Sequence, residues 1–141
     1  MNTIRLPELA PYRRGDLAKI PCNEPDPVPG WAELTEKNAH DLRSVVCNGQ
    51  VVAAMGYFPT SILEADAFAV VDRSACKGIG RQVAAIIRKQ QLEWMHHTGI
   101  EQAKASCAAN DRAARVFLQV IGYTLTDQTN ATTAHFVMSR S

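Results

Sequence analysis

The chain has 141 residues, of which 46% are hydrophobic and 21% charged, and its formal net charge at pH 7 is +1. This length predicts a single domain, residues 1–141, with a core that needs no disulfide or metal. The near-neutral balance argues against nucleic-acid binding, which usually requires a basic surface. No apolar run approaches the roughly 20 residues that span a bilayer, and the N-terminus lacks the apolar segment of a signal peptide.

The first third of the chain is rich in proline and predicts little regular structure. Six of the seven prolines fall within the first 29 residues. Each proline removes an amide donor and restricts the residue before it, so Ile20–Trp31 is predicted to be a shaped loop. We expect a short strand near Asn2–Leu6, a weak helix near Gly15–Ile20 and a second short helix near Trp31–His40.

Stronger patterns begin at Leu42. Two apolar runs within Leu42–Phe58 are joined by Asn48-Gly49, a pair typical of a two-residue hairpin turn. A third strand is predicted in Ser61–Val71, whose apolar run ends at Asp72.

The second half of the chain alternates helices and strands. Gly78–His97 has its apolar residues on one helical stripe, and Gly99 follows as the residue that ends the helix. Gln102–Cys107 alternates small and polar residues as a strand does. The remaining predicted elements are a helix in Asn110–Ile121, with Asn110 or Asp111 as its N-cap and Gly122 at its end, and two strands in Tyr123–Asp127 and Ala134–Ser139.

This order predicts a mixed α/β domain built around one sheet. The helix after Gly78 connects the Glu64–Val71 strand to the Gln102–Cys107 strand. Such a crossover requires the two strands to run parallel.

The loop between Asp72 and this helix predicts an anion site. Ligands favour the carboxyl ends of strands in a βαβ unit, and the first turn of a helix has unpaired N–H donors. Gly78 and Gly80 let the backbone approach a ligand closely, and Lys77 and Arg81 add positive charge. One interpretation of this pattern is a pyrophosphate cradle. The alternative is a helix entry whose glycines serve packing alone.

The stretch "FAVVDRSACKGIGRQV", followed by "NDRAARVFLQVIGY", resembles the Gcn5-related N-acetyltransferase (GNAT) superfamily. The glycine motif of that family reads Gln/Arg-x-x-Gly-x-Gly/Ala, and its helix motif reads Asn-x-x-Ala-x-x-aliphatic-Tyr-x-x-x-x-Gly-Phe. The helix motif matches at Asn110, Ala113, Val116, Gly122 and Tyr123. The resemblance implies a mostly antiparallel central sheet with a parallel, splayed strand pair and helices on both faces.

The resemblance also implies an N-acyltransferase that uses an acyl-CoA, with acetyl-CoA as co-substrate, and transfers the acyl group to an amine of a small molecule or protein by direct attack. A backbone N–H near Val70 would stabilise the charge that develops on the carbonyl oxygen. The implied cofactor-binding residues are Phe68, Ala69, Val70 and Val71 beside the pantetheine arm, Cys76, Lys77, Gly78, Ile79, Gly80 and Arg81 at the pyrophosphate, and Asn110 and Phe117 nearby.

Two positions depart from the family pattern. Ala75 stands where the family has Gln or Arg, and Phe117 stands where it has the tyrosine that protonates the leaving thiolate. Phenylalanine has no proton to donate. Tyr123 is the nearest tyrosine in sequence and is expected to fill the core instead. The alternative function is a catalytically weak or inactive GNAT-like protein that binds a host or virion protein, as small GNAT-like proteins of short-tailed bacteriophages resemble this chain.

Acetyl transfer to an amine also requires that the ammonium lose a proton. Glu64 lies fourteen residues before Gly78, where histone-acetylating members of the family carry their base. Asp66 has the same strand parity and is the second candidate. The alternative for both is a solvent-facing strand edge. Cys76 and Cys107 suggest an acyl-cysteine route, but free cysteines behave mostly as small buried hydrophobes.

The cysteines and histidines show no metal-binding pattern, because no CxxC pair occurs and His96 and His97 are adjacent. We therefore predict no metal, reduced thiols and a cytoplasmic protein, in the host cytoplasm if the chain is phage-encoded. The terminal strand in Ala134–Ser139 offers an edge for a homodimer.

Overall fold

The computed structural model describes residues 6–21 and 30–140. Within these residues the chain forms four helices and seven strands. In chain order they are β1 (Glu8–Pro11), α1 (Asp16–Lys19), α2 (Trp31–Asn38), β2 (His40–Cys47), β3 (Gln50–Pro59), β4 (Glu64–Val71), α3 (Gly80–Thr98), β5 (Gln102–Ala108), α4 (Arg112–Val120), β6 (Thr124–Leu125) and β7 (Thr133–Ser139).

The strands form one sheet in the order β1-β2-β3-β4-β5-β7-β6. β4 and β5 are parallel, with Ala65 opposite Ala103, as the crossover through α3 requires. The pairs β1–β2, β2–β3, β5–β7 and β6–β7 are antiparallel. The predicted mixed sheet with one parallel strand pair is confirmed.

The first strand is not where the sequence predicts it. Leu6 lies outside any strand, residues 2–5 lie outside the described part of the chain, and β1 begins at Glu8. Its place is decided by its pairing with β2, in which Glu8 lies opposite Val46. Pro11 is tolerated in β1 because this strand is at the edge of the sheet, where a missing amide donor matters least. Of the predicted proline loop, residues 22–29 also lie outside the described part.

The hairpin and the main helix agree with the sequence. Asn48 and Gly49 join β2 to β3 with φ angles of 53° and 75°, both in the left-handed region that such a turn uses. α3 begins at Gly80 instead of Gly78, because Gly78 has a φ of 84° and cannot belong to a right-handed helix. Gly99 ends α3, and its N–H donates to the carbonyl of Met95 at 3.0 Å.

The chain divides into two compact units, and each is described separately. The first contains Met1–Tyr57 and Phe68–Ile86, and the second contains Phe58–Ala67 and Ile87–Ser141.

One apolar cluster of the first unit joins the short helix α1 to the strand β3. Leu17 of α1 and Ile20, which directly follows α1, are buried with Ala54 of β3, and Trp31 and Phe68 pack against this cluster. The two aromatic rings meet edge to face, with their centroids 6.2 Å apart and their planes at 81°.

A buried carboxylate anchors α1 to β2. Asp16 is only 2% exposed. It accepts hydrogen bonds from the Ser44 hydroxyl at 2.7 Å, from the backbone N–H of Arg13 at 2.9 Å, and from the Lys19 ammonium at 3.4 Å. Burial pushes the pKa of Asp16 up, but these hydrogen bonds and the Lys19 charge outweigh burial, so the pKa lies below its ordinary value.

The second unit has an apolar core on one face of its strands. The register places Ala65, Ala103 and Met138 side by side, and all three are buried. Asp66 and Lys104 lie on the opposite face, which is open to solvent. The buried residues of this unit also include Ile87, Trp94 and Met95 of α3, and Ile121, Tyr123, Ala134 and Phe136.

Candidate functional site

The loop between β4 and α3 is fixed by a single aspartate. The backbone N–H of Asp72 donates to Val52 of β3 at 2.9 Å. The Asp72 carboxylate accepts from the N–H of Ala75 at 3.1 Å, and its carbonyl accepts from the N–H of Cys76 at 3.0 Å. The start of the loop is therefore held to the sheet, independently of any ligand.

The two glycines that follow, Gly78 and Gly80, have empty space on the side where a side chain would project. A Cβ atom placed on Gly78 or on Gly80 would meet no heavy atom within 4 Å. Gly78 has a left-handed φ of 84°, which only glycine adopts without strain, whereas the φ of Gly80 is ordinary. Packing inside the protein therefore does not explain the glycine at position 80, since a side chain would fit there.

The loop amides fall into two groups. Those of Cys76, Lys77 and Ile79 bond to the carbonyls of Asp72, Ser74 and Cys76. Within the described part of the chain, the structure gives no acceptor for the N–H groups of Gly78, Gly80, Arg81 and Gln82. The sequence predicted a continuous set of donors from Cys76 to Arg81; three of those six donors are used within the loop, and Gln82 was not predicted.

Positive charge surrounds the unbonded amides. Lys77 and Arg81 are both exposed, and they flank Gly78 and Gly80. Unpaired N–H donors at the start of a 19-residue helix, with cations on both sides, are arranged for an anion.

Cys76 lies inside this loop but is not arranged as a nucleophile. Its side chain is buried, and its Sγ donates to the Val52 carbonyl at 3.6 Å. Burial, with smaller effects of Asp72 and Cys47, raises the pKa of the Cys76 thiol to about 11. Because the thiolate is the reactive form, the acyl-cysteine route has no support at Cys76.

The carboxyl-terminal half of β4 carries the residues assigned to the pantetheine arm. Phe68, Ala69, Val70 and Val71 are all half-buried. The parallel pairs with β5 join Glu64–Asp66 to Gln102–Lys104, which is the amino-terminal part of β4.

Glycine at position 56 of β3 determines where the Phe68 ring lies. A Cβ on Gly56 would come within 2.9 Å of the Phe68 ring and of Leu42. Any other residue at position 56 would therefore displace the Phe68 ring. The sequence pattern of β3 does not indicate this requirement for glycine.

The two candidate bases lie on one face of β4, as their spacing predicts. The Oε2 atom of Glu64 is 3.2 Å from the Nζ atom of Lys104, with the two side chains 39% and 51% exposed. Asp66 is exposed and lies opposite Lys104 in the register. The structure gives Asp66 no ion pair within residues 6–21 and 30–140.

Asn110 and Phe117 lie at the start and in the middle of the α4 segment. Asp111, not Asn110, caps this helix, because its carboxylate accepts from the N–H of Ala114 at 3.1 Å. The Asn110 side chain is exposed and has no hydrogen-bond partner in the part of the chain that the structure describes. Phe117 is half-buried, and α4 leaves Val116 and Val120 about half exposed. Tyr123 is 3% exposed and belongs to the core, as expected.

The described residues contain no cluster of three His, Cys, Asp or Glu side chains able to hold a metal ion. None of the helices they form is long and apolar enough to cross a membrane.

Comparison with solved structures identifies the fold. The chain aligns with the ribosomal-protein-S18-alanine N-acetyltransferase from Escherichia coli at a TM-score of 0.67 and 15% identity, covering 96% of this chain and 95% of that one. Ard1 from Thermoplasma volcanium aligns at 0.76 and 12%, covering 94% and 97%. A GNAT family acetyltransferase from Elizabethkingia anophelis with acetyl-CoA bound aligns at 0.66 and 13%, covering 94% and 97%. No protein-family model and no curated protein sequence matches the chain.

These alignments cover almost the whole of each chain, and two of the three proteins are acetyltransferases by name. The identities are low, so the likeness is one of fold. The chain has the GNAT fold.

Proposed function

We propose that the protein is an acyl-CoA-dependent N-acyltransferase that moves an acetyl group from acetyl-CoA to an amine. The observation that carries this proposal is the set of unbonded amides at Gly78, Gly80, Arg81 and Gln82, under open space and beside Lys77 and Arg81. A diphosphate is an anion of the size and charge that such a set of donors binds. The GNAT fold of the chain supports the same assignment, since one structure of that fold has acetyl-CoA bound.

The loop residues would act by binding and orientation. The four amides would donate hydrogen bonds to the diphosphate, and the two flanking cations would add an electrostatic attraction that salt screens. The backbone of Phe68–Val71 would pair with the pantetheine arm, and the N–H of Val70 would face the carbonyl oxygen on which charge develops. When bound, acetyl-CoA supplies the acetyl group as a thioester.

Glu64 is the proposed base, with Asp66 as the second candidate. The amine must be neutral before it attacks, so its proton passes to a carboxylate or to water. Its nitrogen then bonds to the acetyl carbon, and the carbon–sulfur bond breaks. Phe117 has no proton to give, so water protonates the departing thiolate.

The acceptor is proposed to be an amine of a small molecule or a protein. The exposed carboxylates of Glu64 and Asp66 lie on the open face of β4, and they attract a cationic ammonium.

Release of free CoA thiol tests this function. The purified chain is mixed with acetyl-CoA and a panel of amines, and thiol is followed over time. We expect release that requires both the protein and an amine, with acetylated amine formed in equal amount. Thiol release without any acetylated amine, or none with any amine tried, would contradict the proposal and favour a protein that only binds.

The variant Glu64→Gln assigns the base in the same assay. General acid–base catalysis contributes about 10²–10⁴-fold, so kcat should fall by about 100-fold or more while KM for acetyl-CoA stays constant. Lys104→Met is the matched control, because it breaks the same ion pair and keeps the carboxylate. If both variants lose activity equally, the ion pair is structural and Asp66 or water is the base.

A further inference from the structure

The proposed base already has an amine beside it. Lys104 of β5 lies on the same face of the sheet as Glu64 and Asp66 of β4. Its Nζ atom is 3.2 Å from the Oε2 atom of Glu64, and the Lys104 side chain is 51% exposed. The function proposed above brings an acceptor amine to Glu64, and the chain presents a primary amine of its own at that position.

The sheet holds the backbone of Lys104 in place on both sides. Asp66 is opposite Lys104 in the parallel pair with β4, and Val137 is opposite it in the antiparallel pair with β7. All of these residues belong to the second unit. The distance between the amine and the proposed base is therefore set inside one compact part of the chain.

The ion pair leaves the Lys104 amine able to react. Within residues 6–21 and 30–140, the structure gives its ammonium a single hydrogen-bond partner, Glu64. Exposed ion pairs are weak, and the lysine amine sits on a flexible four-carbon stem. The carboxylate that pairs with the ammonium is also the group that takes a proton from an acceptor in the proposed reaction.

We propose that Lys104 is an acetylation site, which the chain modifies by its own transferase activity with acetyl-CoA. The proposal rests on the function proposed above. One proton of the Lys104 ammonium passes to Glu64, a bond forms between Nζ and the acetyl carbon, and the carbon–sulfur bond breaks. Of the two remaining ammonium protons, one stays on the amide nitrogen and the other reaches the CoA thiol by way of water.

Acetylation changes the charge beside the proposed base. The acetylated lysine is neutral, so its ion pair with Glu64 is lost. The Glu64 carboxylate is then open to the ammonium of an external acceptor. Acetylation of Lys104 therefore precedes or accompanies transfer to other amines.

Lys19 provides a matched reference within the same chain. It also pairs with a carboxylate, that of Asp16 at 3.4 Å, and its side chain is 62% exposed, more than that of Lys104. A purely chemical reaction of acetyl-CoA with surface lysines favours Lys19 or treats the two alike. The proposed reaction favours Lys104.

Site-resolved mass spectrometry tests the proposal. The purified chain is incubated with acetyl-CoA and no other amine, and acetylation of each lysine is followed over time. We expect Lys104 to be acetylated at least about tenfold faster than Lys19, because a held amine has a high effective concentration. In Glu64→Gln the rate at Lys104 should fall to that of Lys19. Lys104→Arg, which keeps a cation beside Glu64, should gain no acetyl group at early times.

Dilution shows which chain carries out the reaction. The rate constant at Lys104 should stay the same when the protein is diluted about tenfold, because each chain modifies itself. A rate constant that rises with protein concentration would overturn the proposal. Equal rates at Lys104 and Lys19, or an undiminished rate in Glu64→Gln, would also overturn it.

The thiol-release assay with external amines separates the two proposals. If an external amine is acetylated and Lys104 is not, the proposed function holds and acetylation of Lys104 is wrong. If neither is acetylated, both proposals are wrong.

Discussion

Position 117 on α4 holds a phenylalanine ring at the point where the family resemblance requires a tyrosine hydroxyl. The side chain is half-buried, so a hydroxyl added at the ring edge needs no new cavity. Tyr123 cannot replace it, because burial raises the pKa of that phenol far above its ordinary value and it is only 3% exposed. The leaving thiolate therefore depends on water in the proposed reaction.

Phe117→Tyr should raise turnover. A positioned acid contributes about 10²–10⁴-fold in favourable cases, and we expect at least a tenfold increase in kcat with KM for acetyl-CoA unchanged. The measurement is thiol release at saturating acetyl-CoA. Phe117→Leu serves as the control, since it changes the side chain without adding a proton donor. An unchanged kcat in Phe117→Tyr would mean that protonation of the thiolate does not limit the rate.

The part of the site that could be predicted from the sequence is the part formed by neighbouring residues of recognisable type. The glycine pair, Lys77 and Arg81 are visible as a local pattern, and the structure has them together because they are contiguous. The unbonded state of the Gln82 amide and the internal bonds of the Cys76 and Ile79 amides depend on how the loop closes on Asp72. No spacing rule contains that information.

At the scale of the elements, α1 is too short to be stable alone, so its side-chain contacts must hold it in place. A helix of four residues is far below the roughly 12–15 at which isolated helices become marginal. Leu17 and Ile20 bury its apolar side, and Asp16 ties it to Ser44 of β2. Glu36 of α2 adds a second tie, since it accepts from the Tyr12 hydroxyl and from the Gly15 N–H.

The Asp16 contacts predict acid sensitivity. The pKa of Asp16 is lower in the folded chain than its ordinary value, so its stabilising effect is complete above about pH 4 and is lost as the pH falls through the folded-state value. Hydrogen bonds to Tyr12 and Gly15 lower the pKa of Glu36, which acts in the same direction. The free energy of unfolding should therefore fall on acidification below about pH 4.

Asp16→Ala isolates this effect in urea denaturation. Loss of the acceptor for the buried Ser44 hydroxyl and the Arg13 amide should reduce the free energy of unfolding by about 1–3 kcal/mol near neutral pH. The difference between the variant and the wild type should shrink as the pH falls through the lowered folded-state pKa of Asp16. A constant difference at all pH values would show that the carboxylate charge contributes nothing.

Elements with strong local signals were predicted well, and elements that depend on distant partners were not. The β2–β3 turn is determined by Asn48 and Gly49, whose left-handed φ angles few other residues adopt. β1 is displaced from its predicted place because the pairing with β2 selects Glu8–Pro11. β6 has only two residues, because its extent is set by pairing with Phe136 and Val137 of β7.

For the whole molecule, the order and direction of the strands follow from the sequence once the α3 crossover is recognised. Right-handed parallel connection through a helix is nearly obligatory, so β4 and β5 had to be parallel neighbours or near neighbours. The insertion of β7 between β5 and β6 is not predicted by any local pattern.

The central claim is that the open amides at the start of α3 bind the diphosphate of acetyl-CoA, and calorimetry on two charge-matched variants tests it most directly. Gly80→Glu places a carboxylate among these amides, where the open space leaves the fold intact, and Ala85→Glu adds the same charge at an exposed position further along α3. The account predicts roughly micromolar binding by the wild type and by Ala85→Glu, with circular dichroism spectra alike for all three proteins. It predicts that Gly80→Glu loses about 100-fold or more in affinity, since like charges brought together cost several kcal/mol. Wild-type affinity in Gly80→Glu would contradict the claim.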